Sequence, residues 1–435
     1  MTDVVADLLA FLDRSPTPYH AVAECVRRLE AAGFRALDPA AAWELGAGDR
    51  RYSVRGDGSL VAFEVGQLAV AEAGFRWIGA HTDSPNLRLR PRPDDTVLGY
   101  RRLGVEVYGG VLLHTWLDRD LSLAGRAVLR GPDGPHSVLL DFERPLLRIP
   151  NLAIHLQREI ATEGVKLNPQ TQVVPVLGLE GTPPLPELLA QELRARGIAS
   201  RAEDVLSFDL MAYDTQPAVV SGARGEFVQA SRLDNLASCH AATTALVRAT
   251  RAGPVAATRG VVFFDHEEVG SRSASGALGP LLAETLDRIA SGAKDAGRES
   301  LPRALARSLL VSTDMAHAVH PSFPDKHEPA HRPLIGAGPV IKHNANQSYA
   351  SDAHTAGMFA DLCARAGVTP QNFVSRGDVA CGSTIGPISA ARVGMPTVDV
   401  GNPMLSMHSC REMAGVADVA PMIDVLGLFL SEGGG

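Results

Sequence analysis

Hydrophobic positions change their spacing along the chain. Near the start they recur at helical intervals. Val5, Leu8, Leu9 and Leu12 form one stripe that breaks at Ser15-Pro16-Thr17-Pro18. A second stripe runs from Ala21 to Ala32 and meets Gly33, a residue suited to a helix C-terminus. Between residues 60 and 80 the runs LVAFEV, LAVAEA and FRWIGA predict strands. From about 90 to 220 the character shifts. PRPDD opens this stretch, VEVYGGVLL, LAGRAVLR and SVLLDFE predict short strands with glycine turns, and LPELLAQELRARG predicts one amphipathic helix. Beyond about 225, apolar runs alternate with long helical stripes. Residues 233–250 predict an apolar-faced helix, and 280–308 another, with an exposed loop around Lys294–Ser300. The pattern therefore predicts an α/β domain made from residues 1–90 and 221–435, interrupted by a β-rich segment at 91–220.

Four apolar runs lead into a residue able to hold a metal. FRWIGA leads to His81-Thr82-Asp83, VVFF to Asp265-His266-Glu267-Glu268, LLVST to Asp314, and PTVDVG, through NPMLSM, to His408. Continuous apolar runs are the mark of strands buried on both faces of a parallel sheet. Ligands of open α/β sheets bind beyond the carboxyl ends of such strands. The four ends are thus expected to converge. Asp234, in Ser-Arg-Leu-Asp-Asn-Leu before the 233–250 helix, makes a fifth member.

This donor set mixes histidine and carboxylate without cysteine, which suits zinc, cobalt or manganese in an open site. Five donors exceed what one open catalytic zinc takes and suit two ions sharing a carboxylate. Asp83 stands two residues after His81, where an acid can bond the second ring nitrogen. The pair Glu267-Glu268 offers one side chain to a metal and its neighbour to a water proton. Each residue alone has a plainer reading: a structural histidine, a solvated loop, a helix cap. The recurrence of one topological position favours a metallohydrolase.

Composition narrows the classes. At 435 residues the chain exceeds one ordinary core. Hydrophobic residues at 45% and charged residues at 21% fit a globular enzyme. A net charge of −8 opposes binding to nucleic acid or an anionic membrane. No run approaches about 18 apolar residues. The first residues lack the basic start and apolar stretch of a signal peptide, and the five cysteines are scattered. Reduced thiols and a cytoplasmic setting are expected.

The sequence resembles the aspartyl aminopeptidases over nearly its whole length. The matching motifs include SPTPYHAV, GAHTDSP at 79–85, TWLDRDLSLAGR, IPNLAIHLQR at 149–158, SRLDNL at 231–236 and DHEEVGS at 265–271. STDMAHAVHPSFPDKHE at 312–328, KHNANQSYA at 342–350, CGSTIGP at 381–387 and MLSMHSCREM at 404–413 continue it in order. The resemblance implies a phosphorylase/hydrolase-like mixed-sheet domain interrupted by a β-rich dimerisation domain. It implies two divalent ions per subunit, zinc first, with cobalt or manganese as alternatives. His81 and Asp314 would complete one site, Glu268 and His408 the other, with Asp234 bridging, Glu267 as general base and Asp83 orienting His81. It further implies removal of N-terminal aspartate, and glutamate less well, from peptides. Lys342 would bind the acidic side chain, His317 and Tyr349 would line the pocket, and His155 would reach a neighbouring subunit's site. Members are homo-oligomers, commonly dimers assembled into tetrahedral dodecamers.

Other readings stay open at this level. A leucine-type or glutamyl-type aminopeptidase, or a deacylase, would keep the five ligands and differ around Lys342. A non-catalytic scaffold would have lost Glu267 or a ligand, and all are present. A serine hydrolase is disfavoured, because the nearest nucleophile-elbow string, Gly382-Ser383-Thr384-Ile385-Gly386, puts threonine at its centre.

Overall fold

The strands Thr258–Phe264, Phe75–His81, Leu309–Thr313 and Thr397–Gly401 lie side by side in that order, all parallel. Every residue in them is buried, which is why they read as mainly apolar runs, with Arg76, Arg259 and Asp399 as buried charged exceptions. The register sets His81 opposite Phe264 and Gly79 opposite Ser312, so these chains leave the sheet at one level. Alternate residues serve two cores. Ile78, Ala80, Val261 and Phe263 pack with Leu236, Leu246, Phe359 and Phe429. Phe75, Trp77, Val262 and Phe264 pack with Leu282, Leu286 and Ile289 on the other face, as a pleated strand requires.

The computed structural model describes residues 3–198, 201–292 and 297–432. They form two units. The first comprises Met1–Asp83, Ala218–Met407 and Glu412–Gly435. Its nine-stranded mixed sheet adds Arg35–Ala36, Arg50–Arg55 and Ser59–Glu64 on one side of the central four, and Val340–His343 and Gln371–Val374 on the other. Ser59–Glu64 and Val340–His343 join the centre antiparallel. A five-stranded sheet in the same unit contains Ala316–His317, Pro403–Leu405 and Glu412–Gly415. The second unit comprises Ser84–Pro217 and His408–Arg411. It is built on a six-stranded antiparallel sheet, with Leu185, Leu189 and Leu193 of the Leu185–Ala195 helix buried among Leu87, Leu103, Leu123 and Leu210.

The first two helices are Asp3–Asp13 and Pro18–Ala31, the latter followed by Gly33 at φ +86°. Three sequence expectations change. LAVAEA is a four-residue helix, Val70–Ala73, because alanine and glutamate favour the helical turn and Gly74 ends it at φ +72°. VEVYGGVLL leaves its strand at Tyr108, and Gly109 turns the chain at φ +75°. The stretch 280–308 holds two helices, Leu281–Ser291 and Ser300–Leu305. Residues 293–296, including part of the loop expected around Lys294–Ser300, lie outside the described residues.

Candidate metal centre

His81 ends its strand fully enclosed, and two carboxylates face its Nε2. Asp234 Oδ1 and Asp314 Oδ1 each stand 3.5 Å away. That spacing exceeds a good hydrogen bond and leaves the three donors able to share a cation. The donor atoms of His81, Asp234 and Asp314 all lie within 4.8 Å of one another, as do those of His81, Glu267 and Glu268.

Asp314 follows the Leu309–Thr313 strand directly. Asp234 opens the Leu233–Ala252 helix, but it and Asn235 have non-helical backbone angles. Its backbone N–H donates to the buried carboxylate of Glu412 at 3.1 Å, and Asn235 Nδ2 donates to the Thr313 carbonyl at 2.9 Å. The Asp234 segment is thereby fixed to the end of the strand that delivers Asp314.

Glu267 and Glu268 sit on a single tight turn, Glu267–Val269, after His266 at φ +64°. A left-handed histidine is an uncommon backbone state that surrounding contacts must hold. Asp83 supplies such contacts: its Oδ1 accepts the Glu267 N–H and its Oδ2 the Glu268 N–H, each at 3.1 Å. His81 Nδ1 lies 3.0 Å from the Asp83 carbonyl and 3.5 Å from its Oδ1. The second ring nitrogen therefore bonds chiefly to the Asp83 backbone, while the carboxylate holds the glutamate turn. The sequence position of Asp83 points to the imidazole alone; the two glutamate amides are partners that the fold adds.

The cluster carries excess negative charge. Burial pushes the Glu267 carboxyl up to about 8; His81 opposes this, and Asp314, Glu268 and Asp83 add to it. Burial disfavours a charged His81, yet the surrounding Asp234, Asp314 and Asp83 carboxylates outweigh it and raise the ring's pKa well above the ordinary range. A positive charge among these groups relieves both, and a divalent cation is such a charge. The oxygen and imidazole donors suit a borderline ion such as zinc. Cys239 takes no part as a ligand. Its buried thiol donates to the His81 carbonyl at 3.1 Å, and burial raises its pKa well above the usual value.

Lys342 is buried, with Nζ 3.3 Å from Asp314 Oδ2 and 5.5 Å from the centre of the Tyr349 ring. Tyr349 and His317 line a pocket of ≈ 210 Å³ together with Lys326, His327, Phe373 and Arg376. Its lining holds two cationic side chains and no carboxylate, although Arg376 is paired with Asp378 at 2.7 Å. The sequence does not single out Lys326, Phe373, Glu412 or Asn235 as neighbours of the site; Asn235 follows Asp234 directly, while the other three come to the site only through the fold.

Two expected members belong to the second unit. His408 has φ +67° and Nδ1 3.2 Å from the Gly110 carbonyl. His155 lies on the exposed Ile154–Leu156 turn.

Residues 11–430 match the family described as aminopeptidase I zinc metalloprotease (M18). A probable M18 family aminopeptidase 2 of Stutzerimonas stutzeri is 48% identical over 98% of this chain and 97% of its own. Among solved structures, one from the Ape4 and Nbr1 complex superposes with a TM-score of 0.94 at 38% identity, covering 98% of this chain and 85% of that one. The S. cerevisiae mApe1 dodecamer gives 0.85 at 29% identity, covering 98% and 96%.

Proposed function

Because the chain belongs to the M18 family of zinc aminopeptidases, we propose that it releases N-terminal aspartate, and glutamate less well, from peptides with two divalent ions per subunit. The observation that carries this reading is the meeting of His81 Nε2 with Asp234 and Asp314 beside the Glu267-Glu268 turn.

His81 and Asp314 would hold one ion, Glu268 and His408 the other, and Asp234 would serve both. His408 enters this assignment from the sequence, through the strand-end pattern and the family resemblance. Zinc fits the family and the donors; cobalt or manganese would fit the same donors. Ions bound there would supply Lewis acidity that acidifies water and polarises the peptide carbonyl.

The chain's own groups do the rest. Glu267 takes a proton from the attacking water and returns it to the leaving amine. Asp83 fixes the turn that aims Glu267. Carboxylates around the site receive the free α-amine and so restrict cutting to the N-terminus. Lys342 and the cations of the adjoining pocket favour an acidic side chain, with Tyr349 and His317 as its walls. Lysine acts here as a point charge rather than a bidentate clamp.

His155 serves a neighbouring subunit, and the inserted unit, expected at 91–220, makes dimers that assemble into a tetrahedral dodecamer. The sequence resemblance and the dodecamer named for mApe1 support this assembly. A cytoplasmic setting completes the proposal. Among the described residues, no helix is long and apolar enough to cross a membrane.

Calorimetric titration of metal-free protein with zinc tests the two-ion assignment. Two equivalents per chain are expected, falling in His81→Ala. A single equivalent, or the same two in His81→Ala, would reject it.

A further inference from the structure

Asp399 is an acid the proposed chemistry does not use. It lies on the Thr397–Gly401 strand with none of its surface exposed. Its Oδ1 accepts hydrogen bonds from Ser312 Oγ at 2.6 Å and Thr384 Oγ1 at 2.7 Å. Its Oδ2 accepts the Ala350 N–H at 2.6 Å. Its own backbone N–H donates to Ser351 Oγ at 2.9 Å. Gly386 closes over the carboxylate so tightly that a Cβ there would stand 2.2 Å from Oδ2. The first turn of the Ile385–Val393 helix can settle on this acid only because residue 386 is glycine.

Burying a carboxylate is costly, and burial does push this one's pKa up against the pull of its hydrogen bonds. An apolar side chain in its place would avoid that cost but leave Ser312, Thr384 and the Ala350 amide without their acceptor. The groups it holds have a common destination. Ala350 directly follows Tyr349, and Thr384 ends the loop that begins with Cys381 and Gly382. Tyr349, Cys381 and Gly382 all line the ≈ 210 Å³ pocket. The two segments are far apart in sequence, and Asp399 joins both to one strand of the sheet.

We propose that Asp399 is a positioning residue: its carboxylate fixes the Tyr349 segment and the Cys381–Thr384 loop as the wall of the pocket that receives the substrate's first side chain. This rests on the aminopeptidase reading above. Asp399 is neither a proposed metal ligand nor part of the pocket lining, so it governs how tightly a peptide is held rather than how fast the bond is broken.

The test uses zinc-loaded protein, Asp-Ala as substrate, and the variants Thr384→Val, Thr384→Ser and Asp399→Asn. Thr384→Val deletes one hydroxyl from the carboxylate. It should raise KM about tenfold, the scale of one hydrogen bond to a charged group, with kcat within about twofold and zinc content unchanged. Thr384→Ser restores the hydroxyl and should restore KM. Asp399→Asn should exceed Thr384→Val, and if it fails to fold, the threonine pair carries the test. Hydrogen exchange gives a readout free of catalysis: residues 349–351 and 381–384 should exchange faster in Thr384→Val while the Leu233–Ala252 helix does not. Unchanged KM and unchanged exchange in Thr384→Val would overturn the proposal, as would loss of zinc with an equal fall in kcat. A wild-type protein inactive on every peptide would sink the aminopeptidase reading instead, and the exchange comparison would still decide whether Asp399 holds this wall.

Discussion

Asp83 accepts the backbone N–H of Glu267 at 3.1 Å through one carboxylate oxygen while the other accepts the N–H of Glu268. One buried acid thus links the strand that ends at His81 to the turn that presents the proposed base and a proposed ligand. Asp83→Ala should loosen both. Partners of this kind typically cost about 10–100-fold in metal affinity or activity when removed. Zinc affinity by competition with a chelator and kcat on Asp-Ala should both fall on that scale. A variant with wild-type values for both would assign Asp83 to local structure alone.

Glu267 has a separable role. Glu267→Gln keeps the size and the turn but cannot take a proton. General-base assistance is worth about 10²–10⁴-fold, so kcat should drop by that much with zinc stoichiometry retained. Full activity would remove Glu267 from the role, and loss of zinc would make it a ligand.

Lys342 is both buried and 3.3 Å from Asp314 Oδ2, so its charge sits at the edge of the proposed metal site. Lys342→Met keeps the stem's volume and removes the charge. The kcat/KM for Asp-Ala should fall at least about tenfold further than that for Leu-Ala, as expected for a lost contact to a charged group. Equal losses on the two substrates would make Lys342 a support for Asp314 rather than a determinant of selectivity.

Stability should depend on acid far from this site. Asp7 receives a hydrogen bond from His240 and an ion pair from Arg28, joining the first helix to the second and to the Leu233–Ala252 helix. His240 leads in holding the Asp7 carboxyl well below the usual range, with Arg28 assisting against burial. A depressed folded-state pKa contributes stability that is complete above the unfolded value, near 3.8, and is lost as pH falls through the folded value. Asp7 is partly exposed, so the contribution is discounted to about 1 kcal/mol. Asp7→Asn should lower Tm at pH 7, and the gap to wild type should close below about pH 4. A constant gap down to pH 3 would mean that lost packing, not charge, causes the effect.

Much of the sheet and its functional edge is legible in the sequence. Strands such as Thr258–Phe264 and Leu309–Thr313 are buried on both faces, so their apolar runs announce both the strand and the place where it stops. Polar residues just past those stops, Asp314 and Glu267, stood out for that reason. What escaped depends on contacts between distant segments. Glu412 reaches Asp234 across 178 residues, and Asp399 reaches Thr384 and Ala350 from another strand. The Asp83 carboxylate stands 3.5 Å from His81, the partner its sequence position suggested, but the folded chain also brings the Glu267 and Glu268 amides to it, which no spacing showed. Val70–Ala73 is too short for a helical period to show.

In the proposed enzyme, His81, Asp234, Asp314 and their neighbours would hold the metal needed to cleave the first peptide bond of acidic peptides. The most direct test is hydrolysis of Asp-, Glu-, Leu- and Lys-Ala by metal-stripped protein, with and without added zinc, cobalt or manganese. The account predicts no turnover without metal and, with metal restored, Asp-Ala cleaved fastest and Glu-Ala next. Cleavage led by Leu-Ala would contradict the acidic preference. Absence of cleavage with any metal, in folded and assembled protein, would contradict the enzyme itself.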